Sequence, residues 1–401
     1  VPNQNVLVIN CGSASLRFSV FANGCGEPLI CGNAENLEKE KAYIKWKVTL
    51  QNEPVIVHKE QMAGADHKKI LNTIFALLNS YGFLEKLSLI GHKVTHGGEH
   101  FSKPVVLNDK IIKTLNQISN LAPLHNPANI TGIKLARKNL PNVMQVAVFD
   151  TGFHQSMPAH AYLYGLPVKY HTEYGVRRYG FHGISHQYAS EKAAEFLGLQ
   201  NEHGIISVHL DHGSSVCAIN NGRSVDTSMG FTPLEGLVMG TRCGDIDASI
   251  VDYLNLKIGM PVADITRLLN KGCGLLGLSG ISDDIRVLVD HAHKGNADAQ
   301  LAIEIFCYRV AKYITSYIAS IERLDAIVFT GKIGESENLI RDKIISRLAV
   351  LGIKVNTQEN TKRGDKIRLL SSDSQASRCQ LVLVPVAEEL QIAKQCKMLV
   401  S

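Results

Sequence analysis

Val6–Val20, VLVINCGSASLRFSV, and Ile205–Ile219, IISVHLDHGSSVCAI, carry one plan twice. In each, a short apolar run reads as a buried strand, a turn of small and hydroxyl-bearing residues follows, and a second strand leads away. The first copy has strand Val6–Asn10, turn Cys11–Ser15 and return Leu16–Val20. The second has strand Ile205–Leu210, turn Asp211–Ser215 and return Val216–Ile219. Two hairpins of one design, about half a chain apart, predict a duplicated two-domain fold. Chance similarity of two hairpins is the alternative.

Outward from these hairpins, Lys68–Leu78 and Ile111–Leu121 have helical spacing and Leu87–Val94 reads as a strand. Met260–Leu269 and Ala297–Ile321 read as amphipathic helices. The latter holds neither Gly nor Pro, which predicts one long helix. Strand Ala326–Thr330 runs into a loop, Gly331–Ser336, and then a helix from Leu339. Strand Leu381–Val384 precedes a helix over Glu388–Met398. Alternating strands and helices give the α/β class, with a tight division near residue 150.

At 401 residues the chain exceeds what one core usually supports. A net charge of +5 is too weak and dispersed to argue for nucleic acid. No apolar run reaches the roughly 18 residues of a membrane span, and Val1–Asn5 does not begin a signal peptide. Nine cysteines are scattered singly, without metal-ligand spacing. They read as reduced thiols of a cytoplasmic protein, with no zinc site.

Chemistry-bearing residues gather in a few segments. Val146–His186 delivers Asp150 at a strand end and then closes with Arg177, Arg178, His182 and His186 among glycines, a pattern suited to anionic reactants. The hairpin tips offer Ser13, Ser15, Ser214 and Ser215 with successive backbone N–H groups, which either nest a phosphate or form ordinary turns. Thr227–Asp245 holds Arg242 between small residues, placed to reach a ligand or to pair with Asp245 or Glu235. Gly331–Ser336 lies between strand and helix, where nucleotides dock in α/β proteins, but it is not a Walker loop. Gly91–Glu99 and Leu121–Asn129 add Lys93, His96 and His125, of which Lys93 is the better anion binder.

The ordered set VINCGSASLRF, GHKVTHGGE, LAPLHNPAN, VFDTGFHQ, RRYGFHGISH, DTSMGFTPLEGLVMGTRCGD and FTGKIGES resembles the acetokinase family, the acetate kinases with propionate kinases as near relatives. The resemblance spans the chain. It implies the duplicated actin-like (ribonuclease H-like) two-domain fold of the acetate and sugar kinase, Hsp70 and actin superfamily. The domains would be 1–150 and 151–385, with a helix of about 386–401 packing back on the first. It also implies a homodimer and the reaction ATP + acetate ⇌ ADP + acetyl phosphate with Mg²⁺ or Mn²⁺.

Carried over by motif, Arg242, His182 and His125 would stabilise the phosphoryl group in transit, and Lys93 would hold the substrate carboxylate. Asn10 and Glu388 would position the metal. Asp150 is the family's acid/base residue, although orienting the metal or Arg242 suits it better, because a carboxylate nucleophile has no proton to lose. Ser13, Ser15, Arg17, His209, Leu210, Asp211, His212, Gly213, Asp284, Ile285, Arg286, Lys332, Ile333, Gly334, Glu335 and Ser336 would surround the nucleotide. Thr95, Leu124, Phe181 and Pro233 would take the methyl group.

The sequence departs from the family's pattern on the motifs themselves. Lys93 stands where the family has Arg, losing a bidentate fork, and Arg17 stands for Lys. His209–Gly213 reads HLDHG instead of HLGNG, Gly331–Ser336 reads GKIGES instead of GGIGEN, and Ala387 replaces Asn. Beside acetate kinase stands a propionate or short-chain acyl kinase, against which Thr95 weighs, and the departures add two further alternatives: a pyrophosphate-using acetate kinase, and a catalytically weak paralogue that binds nucleotide or acyl phosphate.

Overall fold

The structure is a computed structural model that describes residues 4–49, 56–200, 202–372 and 379–400. Residues 1–3, part of the segment weighed above as a leader, lie outside them. The chain divides into two compact units, Val1–Phe153 with Ala387–Ser401, and His154–Val386.

In the first unit the strands are β1 (Asn5–Cys11), β2 (Ser15–Ala22), β3 (Ile30–Glu35), β4 (Tyr43–Val48), β5 (Ile56–Gln61), β6 (Leu87–Val94), β7 (Val105–Val106) and β8 (Met144–Phe149). They form one sheet in the order β5-β4-β3-β2-β1-β6-β8-β7. β1, β2 and β3 pair antiparallel, whereas β6 and β8 continue parallel to β1. β1 is apolar on both faces because both are covered. Leu7 and Ile9 join Ile70, Leu71 and Ile74 of helix His67–Ser80 in one core. On the opposite face, a Cβ on Gly91 would stand 2.8 Å from both Ile392 and Cys396 and 3.7 Å from Val8, so helix Glu388–Val400 lies directly on β6.

The second unit repeats this plan. Its strands are β9 (Gly204–Leu210), β10 (Ser214–Asn220), β11 (Arg223–Thr227), β12 (Ala326–Thr330), β13 (Arg368–Leu369) and β14 (Gln380–Leu383), in the order β11-β10-β9-β12-β14-β13. β9, β10 and β11 pair antiparallel, and β12 and β14 follow parallel. The five-strand kernel β3-β2-β1-β6-β8 thus has its counterpart in β11-β10-β9-β12-β14, in pairing sense as well as order. That is the duplicated actin-like architecture. Along β9 the faces alternate. Ile206, Val208 and Leu210 join helix Ala297–Ser316 in the main core, while Ser207 and His209 bond to helix Gly183–Leu197.

Two expectations about elements are corrected. Ala297–Ile321 is not one α-helix: the α-helix ends at Ser316 and the chain tightens into a 3₁₀ turn, Tyr317–Ser320. Gly331–Ser336 is not a loop but a short helix following β12 directly. Gly331 makes this possible. Its φ is +81°, and a Cβ there would stand 2.5 Å from the Leu210 carbonyl oxygen, so a side chain would block both the turn and the approach to β9.

Candidate active site

In the first unit, β6 and β8 run parallel with Lys93 beside Val148 and Val94 beside Phe149. Asp150 then follows the end of β8, its N–H donating to Val94 O at 2.9 Å. Glu388 opens the helix Glu388–Val400. Lys93 Nζ lies 3.2 Å from Asp150 Oδ1 and 2.7 Å from Glu388 Oε2, with all three side chains largely buried. Burial alone would lower the Lys93 pKa, but the two carboxylates outweigh it and hold the ammonium above its ordinary value. Lys93 is thus a cation committed to two acids.

Two residues that the sequence reading passed over organise this unit. Asn129 accepts from Thr95 N–H at 2.9 Å and donates to Cys11 O at 2.6 Å. Asn126 accepts from His96 N–H and donates to His96 O, both at 3.0 Å. The LAPLHNPAN segment therefore clamps the GHKVTHGGE segment to the end of β1, where Asn10 pairs across the hairpin with Arg17. His125 stands at the N-terminus of the helix Asn126–Asn139. Ser13 and Arg17 are exposed and Ser15 half-buried around the tip, and Leu124 is exposed.

In the second unit the central group is His182, Gly213 and Arg242. A Cβ on Gly213 would stand 3.3 Å from Arg242 Nη1 and 3.4 Å from His182 Nε2. A guanidinium and an imidazole nitrogen therefore close on the backbone of the second hairpin tip. Arg242 donates to Pro233 O at 3.3 Å and contacts Met239 Sδ at 3.5 Å. Neither acid that could neutralise it does so. Glu235 is taken by Arg178, at 2.6 Å, and by the Tyr164 hydroxyl. Asp245 accepts from Gly236 N–H at 2.8 Å and from Tyr313 OH at 2.5 Å. Burial pulls the Arg242 pKa down from its ordinary value. A half-hidden cation with neutral partners costs several kcal/mol of desolvation, which an anionic ligand would offset.

Phe181 packs with Met229 and Met239 in a small buried cluster, which brings it and Pro233 close around Arg242 through Met239. Among the residues expected around a nucleotide, Leu210, Ile285 and Ile333 belong to the main core, so any ligand contact they make runs through their backbone. Asp211 Oδ1 accepts from His212 N–H at 2.8 Å, and His212 Nε2 lies 3.0 Å from Asp283 Oδ2. Asp284 caps helix Ile285–His293 through Arg286 N–H; its bonds from the Arg286 side chain come first in holding its carboxyl below the usual range. Lys332 and Ser336 are exposed, Gly334 is buried, and Glu335 accepts from Val386 N–H at 2.9 Å.

Arg177 and Arg178 are corrected as ligand contacts. Arg177 lies over the Tyr162 ring at 3.6 Å, and Arg178 donates to Thr227 O, Ser228 O and Met229 O besides Glu235. Both are spent on holding the Thr227–Asp245 segment and its surroundings. Arg341, unremarked in the sequence, is 1% exposed and donates to Gly334 O at 2.7 Å, Glu335 O at 3.0 Å and Asn360 Oδ1 at 2.6 Å. It holds the end of the short helix Gly331–Ser336.

The model of the acetokinase family matches residues 5–394. An acetate kinase of Pseudothermotoga lettingae is 45% identical over 405 residues, covering 99% of this chain and 98% of its own. A propionate kinase of Klebsiella pneumoniae is also 45% identical, over 97% of this chain and 95% of its own. The crystal structure of a propionate kinase from Francisella tularensis superposes with a TM-score of 0.92 at 41% identity, covering 98% of this chain and 99% of that one.

Proposed function

We propose a reaction from one premise: the chain belongs to the acetokinase family, so it is a phosphotransferase with a carboxylate as acceptor. The reaction is reversible transfer of the terminal phosphoryl group of ATP to acetate, giving acetyl phosphate and ADP by direct in-line attack. The observation that carries it is Arg242, half-buried beside His182 and the Gly213 backbone and, among the described residues, contacting the neutral Pro233 O and Met239 Sδ.

Acetate is ionised at pH 7, its pKa being about 4 like that of Asp or Glu. Its oxygen attacks phosphorus without a general base, so the barrier lies in bringing two anions together and spreading charge on the transferring group. Arg242 and His182 Nε2–H would bind the equatorial phosphoryl oxygens, with His125 assisting. The turn His209–Gly213 would supply backbone N–H groups to the phosphates. Lys93, with two of its three N–H donors given to Asp150 and Glu388, would turn the third to the acetate carboxylate, and Thr95, Leu124, Phe181 and Pro233 would bound its methyl group.

Asp150 and Glu388 offer carboxylate oxygens that already converge on one cation, Lys93 Nζ, and Asn10, near the end of β1, would add an amide oxygen. That all-oxygen donor set fits Mg²⁺, held by Asn10 and Glu388 largely through water. When bound, the ion supplies charge neutralisation on the phosphate oxygens. Asp150 holds Lys93 and so serves orientation, not proton transfer.

Propionate kinases stand equally close among the relatives. One methylene is worth about 1–3 kcal/mol of discrimination, so use of both acids is the second reading. The test is acyl-phosphate formation, trapped with hydroxylamine, from acetate or propionate with MgATP or pyrophosphate. Acetate turnover with MgATP at about 1–100 per second is expected. Turnover with pyrophosphate alone would transfer the function to another donor, and none with any pair would leave a binding protein.

A homodimer is part of this proposal. Helix Ser249–Ile258 buries none of its residues, yet it carries Tyr253, Leu256 and Ile258, 61%, 78% and 60% exposed, with Val262 just beyond. An apolar helix with no buried face is short of a partner surface. Light scattering on the purified protein is expected to give twice the 43.9 kDa chain mass, and Leu256→Glu is expected to return it to the monomer. All nine cysteines are free thiols, which supports a reducing, cytoplasmic setting. Among the described residues no helix is long and apolar enough to cross a membrane.

A further inference from the structure

The face that helix Gly183–Leu197 lays against β9 and β10 is polar where a core is ordinarily apolar. Ser185, His186, Ser207, His209 and Ser215 are all at most 5% exposed. Their hydrogen bonds form one chain that ends on His182. Ser207 Oγ lies 2.9 Å from His186 Nδ1, His186 Nε2 lies 2.8 Å from Ser215 Oγ, and Ser215 Oγ lies 2.9 Å from His182 Nδ1. On the other side, the His209 ring sits 4.4 Å from the His182 ring and is itself bonded to Ser185 at 2.8 Å.

Proton counting limits this chain to one direction or its exact reverse, and the need for an N–H on the nitrogen facing the Gly213 turn selects between them. A hydroxyl has one proton, so Ser215 cannot donate to both rings it touches. Burial holds His186 well below its ordinary pKa, with His154 and His209 adding to the effect, so at pH 7 it is neutral and has one N–H. We propose that Ser215 is a positioning residue for His182: Ser207 donates to His186, His186 Nε2–H donates to Ser215, and Ser215 donates to His182 Nδ1. This leaves the proton of His182 on Nε2, the nitrogen that faces the Gly213 turn beside Arg242. A lone pair there would repel a phosphoryl oxygen, whereas an N–H donates to it.

The backbone adds a second reason for the anchor. His182 begins the helix at φ 57°, ψ 22°, a left-handed conformation that costs a residue with a Cβ about 1–2 kcal/mol. Such strain persists where surrounding contacts over-determine it, and the Ser215 bond is one of those contacts.

The inference rests on the reading of His182 as a stabiliser of the transferring phosphoryl group. Ser215→Ala is expected to lower kcat about 10- to 100-fold while KM for MgATP and acetate stays within about threefold. Ser215→Cys, which keeps a weak donor, is expected to recover part of the loss. In a His182→Ala background the further change Ser215→Ala is expected to alter the residual rate by less than about twofold, because the serine acts through the ring already removed. An equal loss in both backgrounds would make Ser215 merely structural and overturn the proposal, as would Ser215→Ala keeping more than half of wild-type kcat. Wild-type turnover by His182→Ala alone would instead remove the reading of His182, and the inference with it. Should Ser215→Ala not fold, nitrogen-15 spectra of histidine-labelled wild-type enzyme decide. Protonated Nε2 with bare Nδ1 at His182 is expected, and the reverse tautomer overturns the assignment.

Discussion

Arg242→Ala is expected to lower kcat by about 10³–10⁵, the range of an arginine that neutralises charge on a phosphoryl group in flight. The structure also predicts what the substitution will not do. Among the described residues Arg242 contacts neutral groups, Pro233 O and Met239 Sδ, and its half-buried charge weighs against the ligand-free fold. The thermal midpoint of the variant should therefore equal or exceed that of wild type. Arg242→Lys should recover little, since the guanidinium fork is lost. Steady-state rates by hydroxamate trapping and a thermal melt check both halves. Retention of more than a tenth of wild-type turnover would defeat the assignment.

The second large effect is acid lability. His92, His96 and His154 are buried, and desolvation first of all lowers each to about 4 from the usual 6.5. His92 bonds to Gln145 at 2.8 Å, and His154 lies between Phe181 O at 2.9 Å and Ser224 Oγ at 2.8 Å. Unfolded, each ring takes up a proton near pH 6.5, while folded it does so only near 4. Between those values the unfolded chain binds more protons, so stability falls as pH drops and levels off below about 4. A shift of this size is worth about 3 kcal/mol per histidine at its full extent. Three of them approach the whole stability of a typical protein, about 5–15 kcal/mol. Urea unfolding at pH 7.5, 6.5, 5.5 and 4.5 is expected to show a midpoint falling steeply below 6.5. A flat profile down to pH 5 would refute neutral burial.

The duplicated kernel was legible because it is local. The hairpin strands are short apolar runs or, over Leu16–Val20, an alternation of apolar and polar residues, and each turns at a Gly- and Ser-bearing tip, so β1, β2, β9 and β10 stand out without knowledge of their partners. β3, β4 and β5 were not read, although β4 does alternate, with exposed Lys45 and Lys47 between Ile44, Trp46 and Val48; β5 is wet along nearly its whole length and carries no apolar face to mark it. The site divided along the same line. Motif residues such as Asp150, His182 and Arg242 could be named, and the structure places His182 and Arg242 against the Gly213 turn. The groups that hold them could not. Asn126 and Asn129 bond to residues about 30 positions away, and Ser215, read as a hairpin-tip hydroxyl for a phosphate, bonds instead to His182 from 33 positions away. Nothing in a Ser or Asn at one position announces a buried bond to another. Arg177 and Arg178 failed in the opposite sense, since charge density on a short segment does not reveal that Tyr162 and a row of carbonyls already occupy it.

The return of Ala387–Ser401 to the first unit sets a constraint on biosynthesis. The ribosome makes residues 1–153 first and then all of the second unit before it reaches the helix that covers Gly91 through Ile392 and Cys396. Until that helix emerges, one face of the β1–β6 sheet stands bare and Lys93 lacks Glu388. The second unit, continuous from His154 to Val386, can close during translation, whereas the first must wait. A nascent chain stalled after Asp150 and before residue 388 would therefore carry an open apolar sheet for chaperones to guard and an incomplete acid pair. Activity thus requires that residues 388–400 have been made.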